Sequence, residues 1–357
     1  MYTPLRIDPA KALSDIASFQ RKLAAGMGHL RGMREPEYAN TPRELIYSED
    51  KLKVWHFTGH SRGNARTKTP LLIVYALVNT VWMTDLQADR SMVRNLLEQG
   101  EDVYLIDWGY PDGADRWLTL DDYINGYLDR CVDAVRRRHG LDAINLLGIC
   151  QGGAFSLCYT ALHPDKVRNL VTMVTPVDFH TPDNMLSHWC RSMDVDLFVD
   201  AMGNIPAGLM NYVYLTLKPV RLNQQKYIGM VDILDNPVEL ENFLRMERWI
   251  FDSPDQAGEA FRQFIKDFYQ GNKLVKGTLE IGGRPVDLGL ITQPVLNIFA
   301  EQDHLVPPDA SRALGRHVGT TDYTQLAFKG GHIGIYVSGR AQREVPPAIH
   351  QWLNARD

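Results

Sequence analysis

A chain of 357 residues can bury a sizeable core, and its length admits either one large domain or two smaller ones. With 45% hydrophobic and 23% charged residues it has the composition of a soluble enzyme, and a formal net charge of -5 gives no general attraction for nucleic acid, which removes polyanion binding as a default function. The four cysteines, Cys131, Cys150, Cys158 and Cys190, lack paired metal-ligand spacing and a dense disulfide pattern, so reduced thiols in a cytosol are expected, one of them available as a nucleophile.

The chain opens MYTPLRIDPAKALSDIASFQ, without the continuous apolar core of a secretory signal, and no uncharged apolar run reaches membrane-spanning length. A cytoplasmic protein is expected. Leu13, Ile16, Ala17, Leu23, Ala24 and Met27 recur at roughly helical spacing, with Asp8 placed as cap and Pro9 as first helical residue. The pattern predicts an amino-terminal helical segment over 1–45 that packs on the core, with a partner-binding arm as the alternative.

From Leu52 onward, short apolar runs alternate with longer helical patterns, which predicts an α/β fold with a mostly parallel central sheet flanked by helices. Strands are expected at 52–57, 71–78, 103–107, 144–147, 170–174, 295–300 and 323–328. Several are too continuously apolar to be half exposed and read as buried central strands. No internal repeat, low-complexity tract or long run of like charge interrupts the chain.

The most informative segment is Ile144-Asn145-Leu146-Leu147-Gly148-Ile149-Cys150-Gln151-Gly152-Gly153-Ala154, an apolar strand running through G-x-C-x-G-G into a helix. That is the strand-turn-helix context of a nucleophile elbow in the α/β-hydrolase fold. The nucleophile of an elbow sits in a strained backbone conformation, and its neighbours must be small because the following helix passes close by; Gly148 and Gly152 meet that demand. The turn also sets Cys150 at a helix amino terminus, where free N–H groups and the helix dipole favour a thiolate, while the amide of Gln151 points toward a developing oxyanion. The plainer alternative is a buried structural cysteine in a tight turn. Cys131 and Cys158 fall in predicted helices and Cys190 in the insertion that follows, as small buried hydrophobes.

Over 178–283 the strand rhythm breaks. Helical periodicity and many aromatics, among them Trp189, Phe198, Tyr212, Tyr214, Trp249, Phe251, Phe264 and Tyr269, predict an inserted cap between core segments 46–177 and 284–357. Its aromatic load fits a lid or an association surface, and equally the core of a helical subdomain.

The hydrolase fold supplies nucleophile, acid and histidine in that order, the acid after a late strand and the histidine after the last. Glu301-Gln302-Asp303-His304 follows the strand at 295–300 and puts Asp303 where the acid belongs, with Glu301 and Asp107 as competing carboxylates. Lys329-Gly330-Gly331-His332 follows the strand at 323–328. Of the 11 histidines only His332 combines a post-strand loop, a glycine approach and the correct order. A second oxyanion donor belongs in the loop after an early strand, within Ala76-Leu77-Val78-Asn79-Thr80, and Val78 is the candidate.

Together, Gly148-Ile-Cys150-Gln-Gly152-Gly153, Glu301-Gln-Asp303-His304 and Gly330-Gly-His332-Ile-Gly resemble polyhydroxyalkanoate synthases, and the likeness extends through Asp107-Trp108-Gly109 and the aromatic cap over nearly the whole chain. The chain lacks the long amino-terminal domain of the class I and II enzymes, so it resembles the catalytic subunit of the short two-subunit class III type, with class IV as the alternative. The resemblance implies Cys150 as acyl-bearing nucleophile, His332 as general base and Asp303 as the residue assisting the incoming hydroxyl. It further implies a short-chain (R)-3-hydroxyacyl-CoA substrate, typically 3-hydroxybutyryl-CoA, and a polyester stored in cytoplasmic granules. An accessory synthase subunit, a homodimer or hetero-oligomer and a granule surface are the implied partners, with no metal and no prosthetic group.

Such chemistry suits a cysteine. A thiolate exchanging one acyl–sulfur bond for another keeps the monomer activated, and a positioned base contributes roughly 10²–10⁴-fold in rate. The nearest rival is a cysteine hydrolase or thioesterase on the same scaffold, because fold and triad alone do not separate transfer from hydrolysis. A rival of another class is a non-catalytic granule protein that retains the scaffold.

Overall fold

Residues 9–32, 37, 40–59, 67–219 and 226–357 are described by the computed structural model. An eight-stranded sheet is built from β1 Arg43–Glu49, β2 Leu52–Phe57, β3 Leu71–Val74, β4 Val103–Asp107, β5 Ile144–Ile149, β6 Val167–Met173, β7 Val295–Ala300 and β8 Tyr323–Phe328, ordered β1-β2-β4-β3-β5-β6-β7-β8. β2 pairs antiparallel with both β1 and β4, and every pairing from β4 through β8 is parallel.

Parallel strands need crossover connections, and their helices cover both faces of the sheet. Alternate residues therefore enter two separate cores. Leu72, Val74, Tyr104, Ile106 and Leu146 face α3 (Asp129–His139) and α4 (Gln151–Leu162), preceded in the chain by α1 (Pro9–Gly32) and α2 (Met92–Gln99). Leu71, Ile73, Val103, Leu105 and Leu147 face α2 and the final helix, Gly339–Asn354. The few polar residues inside the sheet are satisfied in pairs: Asn169 Nδ2 donates to Asn145 Oδ1 at 2.8 Å, and Thr172 Oγ1 donates to Asn297 Oδ1 at 3.0 Å.

Two departures from the sequence pattern have physical causes. β1 escapes the alternation test because none of its residues is fully buried and a bulge between Leu45 and Tyr47 breaks its period. The run expected at 71–78 leaves the sheet after Val74. Tyr75, Ala76 and Leu77 are apolar because they are buried in a loop, without being paired in a strand.

Between β6 and β7 lie α5 (Met185–Arg191), α6 (Val195–Met202), α7 (Ala207–Thr216), α8 (Lys226–Ile233), α9 (Pro237–Phe251), α10 (Gly258–Gln263), a π-helical turn over Phe264–Gln270, and α11 (Lys273–Lys276). Val195, Val199, Ile205, Phe261 and Ile265 form a small core of their own. The π-helical turn instead drives Phe264 and Phe268 into the main core, with Phe264 6.1 Å from Phe155 of α4 and Phe268 5.6 Å from Phe179, centroid to centroid. The insertion is thus anchored on α4, the helix that follows Cys150.

The amino-terminal helix corrects an expectation. The apolar spacing predicts packing on the core, but α1 lies against α8 and α9. Gly26 permits the approach, since a Cβ there would sit 2.8 Å from Leu234 Cδ2, and Lys22 Nζ donates to the Asp232 carbonyl at 3.2 Å. Leu13, Ile16, Leu23 and Met27 remain exposed because the contact is made through the small and basic side of the helix. Asp8, the expected cap, lies outside the described residues. Among the described residues no helix is long and apolar enough to cross a membrane.

Candidate active site

β5 turns into α4 through Cys150, whose φ of +55° and ψ of -123° lie where L-residues are strained. The surroundings hold it there. Cys150 N–H donates to the Met173 carbonyl at 2.9 Å, and the Cys150 carbonyl accepts from Gly153 N–H at 3.0 Å. A Cβ on Gly152 would strike the carbonyl oxygens of Val74 and Tyr75, and one on Gly148 would come within 2.6 Å of Ser156 Oγ. Gly153, the last glycine of the G-x-C-x-G-G run, is as constrained as its neighbours: a side chain there would collide with Thr175.

The loops after β7 and β8 are tied together before either reaches the site. Glu301 N–H donates to the Phe328 carbonyl at 2.9 Å and Gln302 N–H to the Gly330 carbonyl at 2.8 Å. This brings Asp303 Oδ2 to 2.7 Å from Nδ1 of His332, and because a carboxylate only accepts, Nδ1 carries the hydrogen. The Cys150 sulfur acts on the same imidazole, and both side chains line one cavity. Burial works to lower the basicity of His332, but the Asp303 carboxylate, the Cys150 sulfur and the hydrogen bond to Asp303 outweigh it and hold the imidazole well above its ordinary value.

Asp303 faces inward. Its Oδ1 accepts from the N–H groups of Leu305 at 2.9 Å and Val306 at 3.0 Å, Oδ2 is occupied by His332, and the side chain is fully buried. The competing carboxylates lie elsewhere: Glu301 is exposed, and Asp107 accepts from Gly109 N–H at 3.1 Å and Trp55 Nε1 at 3.5 Å at the end of β4. Burial pushes the thiols of Cys158 and Cys190 up to about 12 and raises that of Cys131 as well, so all three are held protonated at neutral pH.

A cavity of about 430 Å³ opens over the sulfur. Cys150, Gln151, Val78, His304 and His332 form its floor, and cap residues such as Tyr214 and Tyr269 form its roof. Gln151 is the first residue of α4, where an N–H has no acceptor within the helix. Its side chain has a separate function that the motif does not reveal: Oε1 accepts from Leu77 N–H at 3.0 Å in the buried floor. Sequence reasoning gave no role to Asn79 or Ser253 and read Trp249 only as a cap aromatic; Asn79 bonds Ser253, and Trp249 bonds the Thr80 carbonyl, across long sequence separations. The aromatic density of the cap is the one signal that could have pointed to its roof residues. Among the described residues no group of three histidine, cysteine or acidic side chains is placed to hold a metal ion.

Known proteins resemble the chain in sequence and in fold. The family model for the alpha/beta hydrolase fold matches residues 69–338. Over 353 residues the chain is 62% identical to the poly(3-hydroxyalkanoate) polymerase subunit PhaC of Allochromatium vinosum, covering 99% of each chain. It is 52% identical to the protein of the same name from Synechocystis sp., covering 96% of this chain and 93% of that one. Among solved structures, the monoacylglycerol lipase of Paleococcus ferrophilus superposes with a TM-score of 0.54 at 17% identity, covering 86% of this chain and 100% of the other, a likeness of fold alone.

Proposed function

The chain belongs to the poly(3-hydroxyalkanoate) polymerase family, acyltransferase subunits on the α/β-hydrolase fold, and from that premise we propose that it polymerises short-chain (R)-3-hydroxyacyl-CoA through an acyl group carried on Cys150. The observation that carries the reading is the 2.7 Å hydrogen bond from His332 Nδ1 to Asp303, with Cys150 and His332 lining one cavity.

In the first step Cys150 Sγ attacks the thioester carbonyl while His332 takes the thiol proton. The carbonyl oxygen gathers charge facing the amides of Gln151 and Val78, and collapse breaks the carbon–sulfur bond to CoA, which leaves with the proton from His332. In the second step the hydroxyl of another monomer or chain attacks the acyl-enzyme and gives its proton to His332. The new ester forms as the bond to Cys150 breaks. The CoA thioester is substrate here, and no step calls for a metal or prosthetic group.

Asp303 assists the hydroxyl through His332, because both of its oxygens are already engaged. A thiol ionises near pH 8.5, whereas an alcohol is far less acidic, so the second step leans harder on the base that Asp303 supports. Water is the competing nucleophile in that step. The largely carbon-lined cavity suits a short acyl chain, and a cap that closes over Cys150 would exclude water, opening for monomer, CoA and polymer.

The name of the relatives, polymerase subunit, supports the class III type, which acts with an accessory subunit at a cytoplasmic granule surface; class IV is the alternative. Incubation with (R)-3-hydroxybutyryl-CoA, with and without a co-expressed accessory subunit, tests the function. CoA release with insoluble polyester is expected, and free hydroxy acid as the sole acyl product would identify a thioesterase instead.

A further inference from the structure

The loop 75–80, which carries the Val78 N–H, is fastened from two directions. On one side Leu77 N–H donates to Gln151 Oε1 of the elbow at 3.0 Å. On the other side the fastenings come from the cap: Asn79 Nδ2 donates to Ser253 Oγ at 2.6 Å, and Trp249 Nε1 donates to the Thr80 carbonyl at 2.8 Å. Ser253 is itself fixed, its hydroxyl donating to the Ile250 carbonyl at 2.8 Å, and that carbonyl also accepts from Asn211 Nδ2 of α7 at 2.8 Å. Asn79 has φ of +61°, a left-handed conformation that asparagine tolerates better than most residues but that persists only where the surroundings impose it.

A peptide plane is aimed by the torsions on either side of it. The direction of the Val78 N–H is therefore set by the elbow before it and by the cap after it. We propose that Asn79, Ser253 and Trp249 are positioning residues that complete the oxyanion site only when the cap is closed. This deepens the reading of Cys150 as acyl carrier and rests on it.

The coupling has a chemical use. Attack by thiolate, chain hydroxyl or water places negative charge on the same carbonyl oxygen, and loss of one oxyanion donor costs roughly 10²–10³-fold in rate. While the cap is open for CoA to leave and monomer to enter, the acyl-enzyme meets water with one donor misaligned, and its hydrolysis is slow. Closure restores the donor at the moment water is shut out. The cap thus acts on reactivity as well as on access.

The test uses the full chain and initial rates of CoA release from (R)-3-hydroxybutyryl-CoA. Asn79→Gly keeps the positive φ accessible while removing the amide, Ser253→Ala removes the acceptor, and Ser253→Thr retains the hydroxyl. Asn79→Gly and Ser253→Ala should each lower kcat by about tenfold or more with KM changed less than about twofold, and the double variant should be no worse than either single change because one shared bond is lost. Ser253→Thr should stay close to the parent. Should either single variant fail to fold, Trp249→Phe, which keeps a large ring but removes the N–H, gives the same readout. Unchanged kcat in the single variants, multiplicative losses in the double variant, or a rise in KM in place of a fall in kcat would overturn the proposal. A parent enzyme that releases CoA without ever acylating Cys150 would instead overturn the reading on which it rests.

Discussion

His332 is the residue whose ionisation the fold controls most usefully. Burial alone would favour the neutral ring, yet Asp303 and the Cys150 sulfur keep the proton on it above the ordinary value of 6.5. A raised folded value stabilises the native state fully below the unfolded value, and that contribution is lost as pH rises through the folded one. The unfolding free energy of the parent minus that of His332→Gln should therefore be level up to about pH 6.5 and shrink from there toward about pH 10, with denaturant titrations at each pH as the measurement. A difference that grows across that window would contradict the assignment. Asp303→Asn should still permit Cys150 to be labelled by monomer but slow elongation more than acylation, because the alcohol needs the stronger base; equal loss in both steps would sink that role. These three residues were legible in the sequence because each sits in a short loop directly after a strand, with glycines on one side or the correct chain order on the other. Asn79 and Ser253 were not, since a hydrogen bond across 174 positions leaves no local pattern.

The elements around the site are constrained by close approach and by shared core. Gly152 has no room for a side chain against the carbonyls of Val74 and Tyr75, so Gly152→Ala must push the exit of β3 away from the elbow. The expected loss is about 1–3 kcal/mol, read as a lowered denaturation midpoint at unchanged slope. Phe264 packs between Phe155, Phe179 and Phe268, and Phe264→Ala should cost about 3–5 kcal/mol by the same measurement while loosening the seat of the cap on α4. A loss below about 1 kcal/mol would show that the π-helical turn is not an anchor. Buried parallel strands announced themselves as continuous apolar runs, and β4 and β7 begin and end where that pattern places them. The edge strand β1 did not, because half-exposed, bulged strands carry mixed composition, and the run after Val74 was misread because a buried loop is as apolar as a buried strand.

At the scale of the whole molecule, two cores flank one sheet, and the cap joins the larger machine through α4 on one side and the loop 75–80 on the other. The α/β class was readable from the alternation of runs, and membership of the polymerase family from three short motifs at the right places along the chain. The docking of α1 on α8 and α9 was not readable, since amphipathic spacing says that a helix has a face without saying which surface meets it. The central claim is that the sulfur at the end of β5 carries the acyl group. It is tested most directly by mixing the enzyme with isotopically labelled (R)-3-hydroxybutyryl-CoA, quenching in acid and mapping the label by peptide mass spectrometry. The account predicts label on the peptide containing Cys150, none in Cys150→Ala, and a matching quantity of released CoA; label on another residue, or polyester formed by Cys150→Ala, would contradict it.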